Sequence, residues 1–183
     1  VNTEVSVMNL GSGSGREVRE LFSRRSQYKT QIKYSFIDQD QKSLDYIRTK
    51  IKKLSVPFLQ CNYINENLIT TYRRIRKCSE QYGMQDLIYS IGVADYLPDE
   101  FCKELFQSSF KLLNRKGLFV VAFKLVKRYK SLCSDWLCNW YFYERGKQEI
   151  IQLIKDGLSG NKFKFKFITI PDKRILYVGI EKI

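Results

Sequence analysis

Along most of the chain, short apolar runs of strand type alternate with stretches whose apolar residues follow helical spacing. In the first helical stretch Val18, Leu21 and Phe22 share one face, and a second helix opens at Gln41. The predicted strands are residues 4–10, 31–37, 56–60, 87–91 and 118–125, and the next predicted helices are residues 65–78 and 99–113. Strands that alternate with helices in this way predict parallel β-α-β units with right-handed crossovers.

The pattern changes towards the end of the sequence. A helix is predicted for residues 147–158, followed by a lysine and phenylalanine alternation, a tight turn at residues 171–173 and a last strand at 175–180. Two strands joined by so short a turn must be antiparallel. The fold prediction is therefore α/β: a Rossmann-like, doubly wound sheet of about seven strands, mostly parallel, with an antiparallel C-terminal hairpin.

The lysine and phenylalanine alternation, residues 162–167, has two interpretations. The lysines form either a basic stripe for a polyanion or the solvated face of an edge strand, where lysine discourages aggregation. We favour the edge strand, because one buried face and one solvated face require this alternation.

A glycine-rich turn, residues 11–15, directly follows the first predicted strand, and Asp38 ends the second. In a doubly wound sheet the ligand binds where the strand order reverses, and glycines there let it approach the backbone. A carboxylate at the end of the second strand can accept hydrogen bonds from both hydroxyls of a ribose. The alternative is purely structural: a tight connection between the strand and the helix, and an acidic cap for the next helix. Asp40 fits such a cap better than Asp38 does. A nucleoside site is the leading hypothesis.

Five segments together resemble the motifs of class I methyltransferases that depend on S-adenosyl-L-methionine (SAM). They are residues 7–15, VMNLGSGSG, residues 36–38, FID, residues 58–62, FLQCN, residues 86–92, DLIYSIG, and residues 114–117, NRKG. The resemblance covers nearly the whole chain. It implies a SAM-dependent methyltransferase with a seven-stranded sheet whose last strand is reversed.

A narrower likeness concerns the acceptor of the methyl group. Residues 13–18, 38–40, 86–97 and 139–145 resemble a bacterial subgroup described as extracellular-factor 3-hydroxypalmitate methyl ester biosynthesis proteins. This likeness implies a small or lipid-like acceptor such as a fatty acid carboxylate.

The family resemblance also implies a role for individual residues around the cofactor. Gly11, Ser12, Gly13 and Gly15 would lie along the methionine part, Asp38 would hold the ribose, Gln39, Cys61, Asn62 and Tyr63 would surround the adenine, and Ser90, Ile91 and Gly92 would border the sulfonium.

Two positions depart from the family pattern. Asn9 stands where an acidic residue is usual, and Asn62 stands where an aspartate is usual. Both lose a negative charge, so a non-catalytic module that retains the fold stays open as an alternative.

No single catalytic residue is predicted, but four residues are candidates for the acceptor side. Asp95 and Tyr96 follow the fourth strand, Trp140 belongs to an aromatic segment that could wall an apolar pocket, and Arg145 could pair with a carboxylate. The alternatives are a cap for Asp95, core packing for the aromatic residues and a surface charge for Arg145.

Composition narrows the chemistry further. The 183 residues include 32 Lys and Arg, 19 Asp and Glu and no His, which gives a net charge of +13. The lack of histidine excludes Ser-His and Cys-His nucleophile systems and histidine-ligated metal sites. The positive charge leaves nucleic acid open as a partner, although a solvated lysine-rich surface would give the same count.

An RNA or DNA methyltransferase is therefore an alternative function. The sequence lacks the Asn/Asp-Pro-Pro-Tyr motif of amino-group nucleic-acid methyltransferases, because residues 90–93 read SIGV. An NAD-dependent oxidoreductase ranks last, since Arg16 stands where the dinucleotide fingerprint has its third glycine.

The cysteines bear on location. The chain contains Cys61, Cys78, Cys102, Cys133 and Cys138. They form no C-x-x-C pair and fit no zinc spacing, so we expect reduced thiols, no metal site and a cytoplasmic protein.

No apolar run reaches the roughly 18 residues of a membrane span. Because Val1 is not a methionine, we expect one domain over residues 1–183, cut from a longer chain that supplied an N-terminal part; its oligomeric state is not predicted.

Overall fold

A computed structural model of the chain describes residues 4–24, 30–73, 82–125, 142–169 and 174–183. Its strands are β1 (Glu4–Leu10), β2 (Gln31–Asp38), β3 (Leu59–Asn65), β4 (Gln85–Ser90), β5 (Leu113–Lys124), β6 (Phe163–Thr169) and β7 (Ile175–Lys182). Its helices are α1 (Arg16–Arg24), α2 (Gln41–Leu54), α3 (Leu68–Arg73), α4 (Asp99–Leu112) and α5 (Lys147–Gly157), with a 3-10 turn at Ala94–Tyr96. None of the helices in this described part of the chain has the length and apolar character that a membrane crossing requires.

The strands form one seven-stranded sheet in the order β3-β2-β1-β4-β5-β7-β6. Strands β1 to β5 pair in parallel, and β7 is antiparallel to both β5 and β6. The chain runs outward from β1 to β3 and then returns to β4 on the other side of β1. This arrangement confirms the predicted fold class, and it puts the reversal of strand order between β1 and β4.

Alternate residues of the central strands pack into two separate apolar layers, one on each face of the sheet. Val7 packs with α1 and α2 on one face of the sheet, whereas Met8 packs with the layer of α4 and α5 on the other. Large side chains such as Phe106, Phe119 and Ile150 are almost completely buried in the second layer. Each contributes roughly 1.5–3 kcal/mol relative to an exposed position. The two layers hold the strand ends, and hence the loops between them, in fixed positions.

The third strand begins and ends later than the sequence predicts. Residues 56–60 were the predicted strand, but β3 starts at Leu59, where it pairs with Ile32, and continues to Asn65. Pro57 lies in the turn before β3, and proline has no backbone N–H for a sheet ladder. The apolar run therefore marks the approach to the strand and not the strand itself.

Strand β6 forms one end of the sheet, as the edge interpretation predicts. Phe163, Phe165 and Phe167 pack against the core, while Lys164 and Lys166 are exposed on the other face. The alternation therefore matches one buried and one solvated face.

Candidate functional site

A pocket of about 390 Å³ opens at the carboxyl ends of β1, β2 and β4. Its lining consists of Gly11, Asp38, Gln39, Asn67, Leu68, Ile69, Gly92, Val93, Tyr96 and Leu97. The pocket lies where the strand order reverses, which is the place at which doubly wound sheets bind their ligands. Its volume falls within the usual range for small-molecule sites.

Asp38 faces the glycine turn. Its Oδ2 accepts a hydrogen bond of 2.7 Å from the Gly13 amide, and its Oδ1 accepts one of 2.9 Å from the Asp40 amide. An ionised carboxylate has about four acceptor positions, so both oxygens can accept further hydrogen bonds from a ligand. Asp40 instead caps α2 by accepting from the Lys42 amide at 3.0 Å. Asp40 is therefore the helix cap, as the sequence suggests, and Asp38 is the acid that contacts the glycine turn.

The glycine turn is held against the end of β2. The amides of Gly11 and Ser12 donate to the Ile37 carbonyl at 2.9 and 3.1 Å. Gly11 has φ +71°, and a Cβ at this position would overlap Cγ2 of Val93. Gly13 has φ +51° and open space where a side chain would stand. Gly11 therefore lines the pocket with backbone that Val93 leaves no room to extend by a side chain, whereas Gly13 has room beside it.

Residues beyond β3 form the far rim of the pocket. Asn67 Nδ2 donates to Gln39 Oε1 at 2.8 Å, and Asn67 Oδ1 accepts from the Ile69 amide at 2.9 Å. The Asn65 amide group donates to the Gln39 carbonyl at 3.0 Å. Gln39 is thereby fixed beside two apolar side chains, Leu68 and Ile69. No sequence signal marks Asn67, Leu68 and Ile69 as lining residues, because the start of a helix such as α3 gives no local sign of what it faces.

The structure does not bring Cys61, Asn62 and Tyr63 to this pocket. Asn62 pairs with Ser35 in mid-strand, whereas Asn65 is the residue opposite Asp38. Three residues of strand span about 10 Å, so Asn62 lies well short of the strand end.

Cys61 and Tyr63 instead border a separate hollow under α2. The Tyr63 ring stacks on the Phe36 ring with 5.4 Å between their centroids. The Arg48 guanidinium lies 5.0 Å from the centroid of the Tyr63 ring. Burial raises the pKa of the Cys61 thiol to about 11, which keeps it protonated at neutral pH. Cys61 and Tyr63 therefore have packing contacts away from this pocket, and an adenine contact for these two residues and Asn62 stays a prediction.

Of the residues at the end of β4 and just after it, one stabilises the sheet and another lines the pocket. Ser90 is completely buried, and its hydroxyl donates to the Leu10 carbonyl at 3.0 Å, tying β4 to β1. Ile91 is 42% exposed and does not line the pocket. Gly92 does line it, with φ +82° and open space at the Cβ position. Of the three residues expected beside the sulfonium, Gly92 is therefore the one at the pocket.

Tyr96 is the acceptor-side candidate that lines the pocket. Its ring lies 5.1 Å from that of Phe142, and Lys124 Nζ lies 3.2 Å from the Phe142 ring centroid. Burial lowers the pKa of Lys124 below its ordinary value. Trp140 lies outside the described residues.

Asp95 and Arg145 do not line the pocket, and both have structural partners. Asp95 is 3% exposed, its Oδ1 accepts from the Lys124 amide at 2.9 Å, and burial raises its pKa. Arg145 is 5% exposed and donates to the carbonyls of Ala94 and Leu97 at 3.0 and 2.6 Å. A guanidinium engaged in this way holds the turn after β4 and does not face the pocket.

Three solved structures illustrate what the chain is similar to. It aligns over 97% of its length with a possible exported protein from Bordetella parapertussis, at 16% identity and a TM-score of 0.75. It aligns over 98% with magnesium protoporphyrin IX methyltransferase from Synechocystis PCC 6803 with bound S-adenosylhomocysteine (SAH), at 14% identity and a TM-score of 0.65. It aligns over 100% with a SAM-dependent methyltransferase from Methanosarcina mazei, at 12% identity and a TM-score of 0.64.

These likenesses show the fold, which the chain shares with SAM-dependent methyltransferases. The chain spans 61% of the Bordetella protein, 74% of the Synechocystis protein and 93% of the Methanosarcina protein. No protein-family model matches the sequence, and no curated protein matches it.

The Arg145 contacts predict a large stability loss for Arg145→Met. The substitution removes two charged hydrogen bonds to the carbonyls of Ala94 and Leu97, so we expect the free energy of unfolding to fall by about 2–4 kcal/mol in a denaturant titration. Asp99→Asn is the matched control, because it removes the charge of the 62% exposed partner of the same guanidinium and should cost roughly 0–1 kcal/mol. Equal losses in the two variants would contradict this account.

The glycine turn predicts that alanine is more destabilising at position 11 than at another glycine with a similar backbone conformation. Gly11→Ala forces a side chain into left-handed backbone and against Val93, so we expect it to lower the free energy of unfolding by about 2 kcal/mol or more. Gly160→Ala has a similar φ, +79°, but open space around it, and should cost only about 1 kcal/mol. Thermal and denaturant unfolding measure both. The packing argument fails if Gly160→Ala is the more damaging change.

Proposed function

We propose that the pocket binds SAM and that the chain is the cofactor-binding core of a SAM-dependent methyltransferase. The observation that carries the proposal is the Asp38 carboxylate, held 2.7 Å from the Gly13 amide at the point where the strand order reverses. A strand-end carboxylate beside bare backbone suits a ribose whose nucleoside continues along the turn.

The lining fits the parts of SAM. Asp38 would accept hydrogen bonds from the ribose hydroxyls, and the Gln39 and Asn67 amides would stand beside the adenine edge. Leu68 and Ile69 give the adenine apolar contacts. The Ser12 hydroxyl is buried and has no hydrogen-bond partner among the described residues, and a contact between Ser12 and the methionine part is part of the proposal.

Bound SAM would supply a methyl group on a sulfonium, a good leaving group for an in-line displacement. The chain's own residues would mainly position the reactants and exclude water. Gly92 would approach the cofactor closely, because it has no side chain and stands over open space. Tyr96 would stand between cofactor and acceptor. An acceptor that is already an anion needs no base, and the lack of histidine is consistent with such an acceptor.

The acceptor in this proposal is small or lipid-like, with a carboxylate as the leading choice, and the reaction is cytoplasmic. The aromatic rings of Tyr96 and Phe142 beside the Lys124 ammonium support an apolar molecule with an anionic group. The net charge of +13 supports the alternative of an RNA or DNA acceptor. Retention of the cofactor without any methyl transfer would support a binding module.

Isothermal titration with SAM and with SAH tests the cofactor assignment. Wild type should bind both, and Asp38→Asn should weaken both by about 10- to 100-fold, because charged hydrogen bonds to the ribose are lost. Asp45→Asn is the matched control: Asp45 is an exposed acid on α2, outside the pocket, and its substitution should leave both affinities unchanged.

Two results would contradict the proposal. One is a folded wild-type protein that binds neither molecule at millimolar concentration. The other is an Asp38→Asn variant that binds both as tightly as wild type does.

A further inference from the structure

A side-chain hydrogen bond closes the base of the glycine turn. Asn9, near the end of β1, is 2% exposed, and its Nδ2 donates to Glu17 Oε1 at 2.9 Å. Glu17 lies in the first turn of α1. The residues between these two partners are the turn that contributes Gly11 to the pocket and Gly13 to the Asp38 contact. The bond therefore fixes the distance between the two ends of the turn.

The same carboxylate oxygen has a second donor from another strand. The Tyr89 hydroxyl, on β4, donates to Glu17 Oε1 at 2.7 Å. Tyr89 also contacts the Tyr34 hydroxyl on β2. Because the single proton of Tyr89 goes to Glu17, its oxygen accepts from Tyr34. Three adjacent strands are thus connected to one carboxylate on the helix that follows the turn.

Both phenols of this network are hydrogen-bond donors at neutral pH. Burial raises the pKa of both Tyr34 and Tyr89 far above neutrality, so both phenols stay protonated and can donate. The Asn9 amide group is a donor at every pH. Glu17 is therefore the acceptor at which the donors converge, and a negative charge there strengthens each hydrogen bond.

We infer that Glu17 is a positioning residue for the cofactor site, acting through Asn9 and Tyr89 to hold the glycine turn in its binding conformation. This inference rests on the proposed function. It predicts that the network needs one carboxylate and one amide, since a second carboxylate at position 9 would remove a donor and repel Glu17.

Four proteins test the inference by SAH titration: wild type, Asn9→Asp, Glu17→Gln and the double variant that carries both changes. We expect Asn9→Asp to bind SAH at least about tenfold more weakly, and Glu17→Gln only about two- to fivefold more weakly, since its amide oxygen can still accept. The double variant exchanges the amide and the carboxylate, so it should bind within about threefold of Glu17→Gln.

The rescue in the double variant separates positioning from a general loss of stability. Glu20→Gln is the control on the same helix, because Glu20 pairs with the exposed Arg16, and it should leave SAH affinity unchanged. Hydrogen exchange of the amides of residues 11–16 gives a readout that needs no cofactor. Exchange there should be faster in Asn9→Asp and return towards wild type in the double variant.

The outcomes distinguish the two proposals. If wild type does not bind SAH, the proposed function fails, and the exchange rates alone decide whether Glu17 holds the turn. If wild type binds SAH and Asn9→Asp binds it equally well, the inference about Glu17 is overturned. If Asn9→Asp does not fold, a folded double variant with restored binding supports the inference, and an unfolded one overturns it.

Discussion

The contact between the Asp38 carboxylate and the Gly13 amide is the constraint on which the pocket depends. It joins the end of β2 to a turn with three left-handed glycines, which the backbone alone would not hold in one conformation. The Ile37 carbonyl fixes the start of the same turn, and the Asn9–Glu17 bond closes its base. A ligand would therefore meet a turn that is already ordered, and binding would cost little conformational entropy.

The architecture could be predicted from the sequence because it follows from periodicity. Alternating strands and helices required a parallel sheet, and a tight turn between the last strands required an antiparallel pair. Asp38 and the glycine turn could be predicted for the same reason, since both lie at strand ends that the pattern locates. The comparisons with solved methyltransferases agree with this fold at 10–14% identity, a range in which the likeness is one of fold and not of sequence.

The site was less predictable where it depended on register or on contacts between distant residues. The apolar run at Val56 predicts the third strand too early. The residue beyond β3 that lines the pocket is Asn67, whereas Asn62 lies in mid-strand. The role of Arg145 depends on carbonyls about fifty residues earlier in the chain. No local pattern distinguishes such a buried arginine from one that faces a substrate.

The order of the last two strands has a consequence for synthesis on the ribosome. β6 is made before β7, yet β7 lies between β5 and β6, so β6 has no neighbouring strand until β7 begins to be added. During that interval the alternating lysines leave β6 polar on one side, which limits its association with other nascent chains. The lysines of this strand thus protect a half-made sheet as well as the edge of the finished one.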